Sequence, residues 1–470
     1  MSITTAIMFF LILFSVLQIC FIPGFILFIF LNRKSTDSNV LLVPAISFAL
    51  SLIINYIIVS FLSYFHIYTR FALIILLIAE FIFLASVFVF HKLNIDKFNG
   101  RKTYNEIIHE INLLFKLQKS AYDVIKFSLF ILSILLLIYL SILLIFNIGK
   151  IFNAWDAVFS WNRWALDFYN NKIPTGTYHY PQLIPANWSI SYVLCGYPLQ
   201  FIPRGLMPLF LIFPVYSLII LGIKQKSTVF FSSVFFLFLG FNRLNWTDGC
   251  VDVPVAFFSI LAYISLILIK KEDHEPDKKK YILLSTIFVC GAAVTKQAGI
   301  FVVVIYPLLL YFLTKDKFEW TYQNIIKFSS FFLTMVIIIV LPFYSYVEIA
   351  IRSGSETSEI HYVTNEIYHG ASYPERLLNA CRLFSDVFSS RLIFVICIYP
   401  FLLSFTDKTF RLWNFVFVIP YSIIWAIFFS YDLRNVAIVI PFFCLGIGVG
   451  LDIILKRLQT LPLINASIEK

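Results

Sequence analysis

Four short stretches hold the side chains able to do chemistry in a chain that is otherwise apolar. The first runs Asn153-Ala-Trp-Asp-Ala-Val-Phe-Ser-Trp-Asn-Arg-Trp-Ala-Leu-Asp-Phe-Tyr169; it carries Asp156, Arg163 and Asp167 and is closed by Tyr178-His179-Tyr180-Pro181. The second, Asn245-Trp-Thr-Asp-Gly-Cys-Val-Asp-Val-Pro254, carries Asp248 and Asp252; the third, Thr295-Lys-Gln-Ala-Gly299, carries Lys296; the fourth, Tyr431-Asp-Leu-Arg434, precedes the last apolar run. An ionisable side chain beside hydrocarbon is expensive unless it faces a wet, protein-lined cavity. Carboxylates and cations gathered at one membrane face suit a reaction on a phosphate-bearing lipid. A carboxylate can take the proton of an attacking hydroxyl, fixed cations can stabilise the charge on a departing phosphate, and Arg can grip that phosphate through two hydrogen bonds.

Each of these residues also has a purely structural reading. Asp156 or Asn153 can cap a helix over 154–171, and Asp248 and Asp252 can cap one that begins near 250. Lys296 and Arg434 can be interfacial anchors whose charges snorkel outward. His179 can be an ordinary hydrogen-bonded residue, and Trp155, Trp161, Trp164 and Trp188 fit an aromatic belt. His361 and His369, among Glu356, Glu359 and Glu366, could bind a cation, with a solvated loop as the structural reading. Asn187-Trp-Ser189 and Asn245-Trp-Thr247 match the glycosylation acceptor pattern.

The elements that must position these residues follow from composition. Sixty per cent of the 470 residues are apolar and 13% are charged, which fits no soluble class and implies an integral membrane protein with many spans. The apolar runs are about 20 residues long, so the expectation is an all-α, polytopic helical bundle and not a barrel. Spans are expected at about 7–31, 40–63, 71–91, 125–148, 205–222, 228–242, 250–269, 281–295, 298–313, 327–348, 392–405, 411–429 and 434–455, about thirteen in all. Residues 7–31 outrun a signal-peptide core and precede no A-x-A site, so they read as a retained span. The seven cysteines are scattered without metal-ligand spacing and read as small buried hydrophobes.

Charge sets the expected orientation. Lys and Arg cluster in short loops, so the net charge of +10 reads as a topology signal, with no nucleic acid as partner. Residues 183–200, interrupted by Pro185, Asn187 and Pro198, read as a juxtamembrane helix that does not cross. One side then receives Arg33/Lys34, the basic stretch 92–126, Lys224/Lys226, Lys270/Lys271 with Lys278–Lys280, Lys315/Lys317, Lys408/Arg411 and Lys456/Arg457. That side is expected to be cytoplasmic, with the amino terminus outside, the carboxy terminus inside and the four chemical stretches facing a bacterial periplasm. The expected organisation is a three-span unit (1–91), a cytoplasmic amphipathic linker (92–124) and a catalytic transmembrane module (125–470) with outer loops 149–204 and 349–391. In 154–171, after the fourth span, Asp156, Ser160, Arg163 and Asp167 share one helical stripe, and Ala154, Val158, Trp161, Ala165 and Phe168 share another. That pattern suits a helix lying in the membrane interface.

With these pieces in order, the chain resembles the membrane-embedded glycosyltransferases of the GT-C fold, and among them the bacterial dolichyl-phosphate-mannose–protein-mannosyltransferase-like group. The resemblance rests on Trp155-Asp156-Ala157 with Trp161-Asn162, on His179-Tyr-Pro181 with Leu183 and Pro185, and on Asp252-Val-Pro254 opening a span. Thr295-Lys296 with Gly299 and Leu433-Arg434 with Pro441 add to it; the match covers about 125–455. It implies that Asp156 corresponds to the family's catalytic carboxylate, that Asp252 or Asp248 supplies the second carboxylate, and that Lys296 and Arg434 hold the donor phosphate. Arg163, Asp167, His179 and Tyr180 support them. It further implies a polyprenyl-phosphate-linked sugar as donor and a glycan, lipid or protein as acceptor. Asp156-Ala157 stands where many members have adjacent acidic residues, which leaves the use of a divalent cation open. Two other readings use the same face: a transporter or flippase of a lipid-linked glycan, which would need charges at mid-membrane depth such as Glu80, and a polymerase or ligase with a diphosphate-linked donor, for which Arg352, Arg376, Arg382 and Arg391 supply a basic loop.

Overall fold

Apolar runs without β-branched alternation leave the backbone one way to satisfy its polar groups in lipid, the helix. In the computed structural model every regular element among the described residues is helical. The structure describes residues 3–32, 40–90, 105, 108–113, 120–177, 179–242, 244, 246–271, 274–354, 371–388 and 390–459. The helices that matter are α1 (Ile3–Cys20), α2 (Ile22–Asn32), α3 (Val43–Tyr64), α4 (Arg70–Phe90), α5 (Ala121–Asn147), α6 (Arg163–Tyr169) and α7 (Leu183–Cys195). They continue as α8 (Phe201–Gln225), α9 (Thr228–Phe241), α10 (Asp252–Lys271), α11 (Glu275–Ala293), α12 (Ala298–Thr314) and α13 (Tyr322–Arg352). The last are α14 (Tyr373–Ser385), α15 (Arg391–Leu403), α16 (Lys408–Phe429) and α17 (Ile440–Gln459).

Among the described residues eight helical runs, α1 and α2 together forming one of them (Thr5–Asn32), are long and apolar enough to cross a membrane, which makes this a multi-pass helical membrane protein. All thirteen expected segments are helical, but five fall short of that standard. The helices Thr228–Phe241, Ala298–Thr314 and Arg391–Thr406 are too short. α11 starts with charged Glu275, Asp277 and Lys278–Lys280, and α17 ends on Asp452, Lys456 and Arg457. Most of the linker 92–124, the His361/His369 loop, Tyr178 and Asn245 lie outside the described residues.

Contacts between helix ends fall into two layers. In one layer Lys226 pairs with Glu110 (2.8 Å), Tyr122 with Asp452 (2.8 Å), Lys280 with Asn32 (3.2 Å), Lys278 with the Lys317 carbonyl (2.8 Å) and Lys270 with Thr409 (2.8 Å). The opposite layer joins His66 to Asn171 and Asn147 to both Arg204 and Thr247, and it holds the residues of the four chemical stretches. α7 keeps both ends in this second layer: the Leu183 amide donates to the Val294 carbonyl (3.0 Å), and Tyr169 bonds the carbonyl of its C-cap Gly196 (2.9 Å). At 13 residues it is too short to span about 30 Å of hydrocarbon.

The segment 183–200, expected as a juxtamembrane helix that does not cross, is not peripheral. Every residue of α7 is buried, so it is a core helix packed among α1, α3, α4 and α6. Asn187 is 1% exposed and gives its amide to the Leu52 and Leu183 carbonyls, which removes it as a glycosylation acceptor.

Candidate active site

The stretch 154–171 departs from a regular interfacial helix. Residues Ala157–Asn162 form a π turn that leads into α6. One extra residue per turn shifts the phase of the helix, so Ala157, Trp161, Trp164, Ala165 and Phe168 are buried while Val158 is only partly covered. The Trp-bearing stripe therefore packs on the protein, with Tyr180 edge-on to Trp161 (5.4 Å, 89°). Trp155 alone of the four tryptophans is exposed, stacked on Phe159 at 3.9 Å.

Asp156 is not a helix cap: no backbone amide of the turn reaches its side chain. Its Oδ2 instead lies 2.6 Å from Nη1 of Arg434. Arg434 sits in the short 3-10 turn Leu433–Val436, where Asp432 accepts both its backbone amide (2.9 Å) and its guanidinium through Nε (2.9 Å) and Nη2 (2.6 Å). The guanidinium thus spans two carboxylates and also approaches Cys250 Sγ at 3.5 Å. Burial pushes the Asp432 carboxyl up, but the Arg434 hydrogen bonds and charge more than offset this and hold it below the usual carboxylate range. Burial, then the charge of Asp252, raises the Cys250 thiol to about 12, which keeps it a neutral, unreactive wall.

Beside this pair lies a second, more deeply covered one. Lys296 Nζ is 2.5 Å from Asp252 Oδ1 and 2.8 Å from Asn435 Oδ1, so it does not snorkel to solvent. Lys296 is 7% exposed and Asp252 3%. Asp252 opens α10, where the helix dipole also favours a negative charge. The turn that carries Lys296 is tight because Gly299 lies on the backbone of Ala292: a Cβ there would meet the Ala292 carbonyl at 2.1 Å. Arg434 and Asn435, consecutive in sequence, therefore link the two ion pairs.

Asp248 belongs to neither pair. It binds Arg204 (3.0 Å) and accepts the Asn153 amide (3.3 Å), tying the loop before α10 to the loop that carries Asp156. Asn147, at the end of α5, bonds the Arg204 and Thr247 carbonyls (2.6 and 3.0 Å). Gly249, at φ +93°, lets this loop pass against Phe152 and Ala157 where a side chain would collide.

The expected supporting residues make contacts of their own. Arg163 donates to the Thr175 and Gly176 carbonyls (3.0 and 3.2 Å), which folds the loop back on α6. Burial raises the Asp167 carboxyl against the opposing charges of Arg163 and Lys172. His179 adopts a left-handed conformation (φ 66°) that turns the chain toward α7, and the Tyr180 carbonyl accepts from Gln182. Arg376 donates to the Ile427 carbonyl (3.3 Å), and Arg352 pairs with Glu348 (2.8 Å). Asp432, Asn435 and Arg204 were not singled out by sequence. Asp432 lies inside the quoted Tyr431–Arg434 motif and Asn435 directly follows it, whereas a lone Arg204 gives no signal.

Three carboxylates, Asp156, Asp252 and Asp432, face two cations, Lys296 and Arg434, which leaves one negative charge in excess. Among the described residues no group of three or more His, Cys, Asp or Glu is placed to hold a metal ion. A cavity of about 410 Å³ lies between α3, the loop after α6 and α13, lined by apolar side chains that include Tyr56, Phe61, Phe168, Ile338 and Phe343. It contacts the candidate site's loop through Phe168 and Gln182. No family model, curated protein or solved structure matches the chain.

Proposed function

We propose that the protein is an inverting glycosyltransferase of about thirteen spans and GT-C-like build. It moves a sugar from a polyprenyl-phosphate donor to an acceptor hydroxyl at the face that carries Asp156, which the loop charges assign to the periplasm. The observation that carries this reading is the Asp156–Arg434 contact: a candidate base and a candidate phosphate ligand touch, and both stay partly open, at 39% and 28% side-chain exposure. Their neighbours Asp252 and Lys296 are closed off, which suits a positioning role.

In this scheme the donor phosphate takes over Nη1 of Arg434 and releases Asp156. Asp156 then accepts the proton of the acceptor hydroxyl, whose oxygen bonds to the anomeric carbon as the bond from that carbon to the phosphate oxygen breaks. The leaving phosphate departs with the electron pair onto Arg434 and, through the shared network, Lys296. Asp432 holds the guanidinium plane by a two-point contact, so the group that grips phosphate is preorganised. The apolar cavity beside Phe168 suits the hydrocarbon of the carrier. The test is transfer of a radiolabelled sugar from polyprenyl phosphate by membranes that hold the wild-type protein or the Asp156→Asn variant.

A further inference from the structure

The amino-terminal helices α1 and α4 take no part in that scheme, and together with α3, whose other end lines the carrier cavity, they enclose polar side chains deep in the apolar layer. Gln18 of α1, 1% exposed, donates from Nε2 to Asn55 Oδ1 of α3 (3.1 Å) and to Glu80 Oε1 of α4 (3.3 Å). Asn55 Nδ2 returns a hydrogen bond to the Gln18 backbone carbonyl at 2.9 Å. Glu80 lies ten residues beyond Arg70, the start of a 21-residue helix, so it sits about 15 Å in, near the middle.

Two acceptors are left over. Gln18 Oε1 and Glu80 Oε2 are both buried, and neither receives a hydrogen bond. The helices packed around them, α1, α2, α3 and α7, contain no Asp, Glu, Lys, Arg or His; their titratable side chains are Cys20, Tyr56, Tyr64, Tyr192 and Cys195. On α4 itself the other charge is Arg70, at the far end. Hydrogen bonding between helices accounts for the paired atoms. It does not account for a carboxylate oxygen and an amide oxygen that lie beside it with empty lone pairs, in a layer where an unneutralised charge is strongly disfavoured.

We propose that Gln18, Asn55 and Glu80 form an intramembrane binding site for one small monovalent cation, a proton or a sodium ion. Either occupant neutralises Glu80 and fills the vacant acceptor capacity: a proton on Oε2 turns it into a donor, and a sodium ion bridges Oε2 and Gln18 Oε1. The site is independent of the transfer reaction and gives the three-span unit a chemistry of its own.

The full-length protein in detergent or nanodiscs tests this in two ways. In the first, the apolar carbodiimide dicyclohexylcarbodiimide, which reacts with protonated carboxyls, is added across pH with sodium or choline, and Glu80 labelling is read by peptide mass spectrometry. In the second, thermal unfolding of wild type and Glu80→Gln is followed in the same buffers. A proton site gives Glu80 labelling that falls about tenfold per pH unit above its midpoint and is indifferent to sodium. A sodium site gives labelling that sodium suppresses and choline does not, with a sodium-dependent rise in melting temperature that Glu80→Gln lacks. Labelling of Glu80 that is absent or unchanged by both pH and sodium overturns the proposal. So does identical pH and sodium dependence of melting in the two proteins. Should Glu80→Gln fail to fold, the labelling of the wild type decides alone.

Discussion

Nη1 of Arg434 stands 2.6 Å from Oδ2 of Asp156, although 277 positions separate the two residues in sequence. The same guanidinium holds Asp432 through Nε and Nη2. One side chain thus fixes the end of α16, the start of α17 and the loop after α5 to a common point. The consequences below follow from how its five N–H donors are shared.

Arg434→Lys keeps the charge but loses the fork. A lysine ammonium cannot contact Asp432 at two points and reach Asp156 as well. The variant is expected to fold, to lose at least tenfold in kcat/KM for the lipid donor, and to recover nothing when donor is raised to saturation. Steady-state kinetics with a defined polyprenyl-phosphate sugar check this; unchanged kcat/KM would remove Arg434 from the reaction.

Asp252→Asn and Lys296→Met each leave one buried charge without its partner. Such a loss costs about 3–5 kcal/mol, whereas removal of both charges costs much less. Each single variant is therefore expected to melt well below the wild type, and the double variant Asp252→Asn/Lys296→Met above either single one. Equal, additive losses would show that the two side chains do not interact.

Asp432 gives the protein a pH dependence of known sign. Its native carboxyl is held below the usual range, so the unfolded chain binds the proton more tightly. Its contribution is present above the ordinary carboxylate value of about 4 and is lost as pH falls through the lower native value. The melting-temperature gap between wild type and Asp432→Asn is expected to be constant near neutrality and to narrow in acid. A gap that widens in acid contradicts the assignment.

The cavity beside Phe168 makes a separate prediction. Ser60→Trp places an indole among its lining residues. The KM for a long-chain polyprenyl donor is expected to rise several-fold, while a short-chain, water-soluble donor is used as before. Parallel loss with both donors would mean that the cavity does not hold the carrier's hydrocarbon.

Much of the helix order was legible in the sequence, because a polytopic protein writes its spans as apolar runs and its sidedness as loop charge. That same reasoning gathered Asp156, Asp252, Lys296 and Arg434 at one face, where the structure has them in two touching pairs. What stayed hidden was local. The Trp stripe of 154–171 looks interfacial by composition, but it is buried by α7, and the π turn that re-phases it leaves no mark in the residue types. α7 itself, interrupted by Pro185 and Asn187, was legible as a helix that does not cross but not as part of the core; its polar groups are spent on neighbouring helices, such as Ser189 on Tyr68 at 2.9 Å. Asp432 and Asn435 escaped because a polar partner in a turn follows no period, and Arg204 because a lone basic residue near the start of α8 gives no signal of its partner.

The central claim is that Asp156 is the base. Asp156 and Arg434 are only partly covered, and an ion pair of this kind contributes at most about 1 kcal/mol to stability. Asp156→Asn should therefore fold, melt close to the wild type and still bind the lipid donor. Loss of a positioned general base slows the chemical step by about 10²–10⁴-fold. The direct measurement is the rate at which a radiolabelled sugar leaves polyprenyl phosphate for an acceptor, wild type against Asp156→Asn, in membranes matched for protein. The account predicts robust transfer by the wild type and a loss of that size in the variant; wild-type rates in Asp156→Asn, or no transfer by the wild type from any polyprenyl-phosphate sugar, would contradict it.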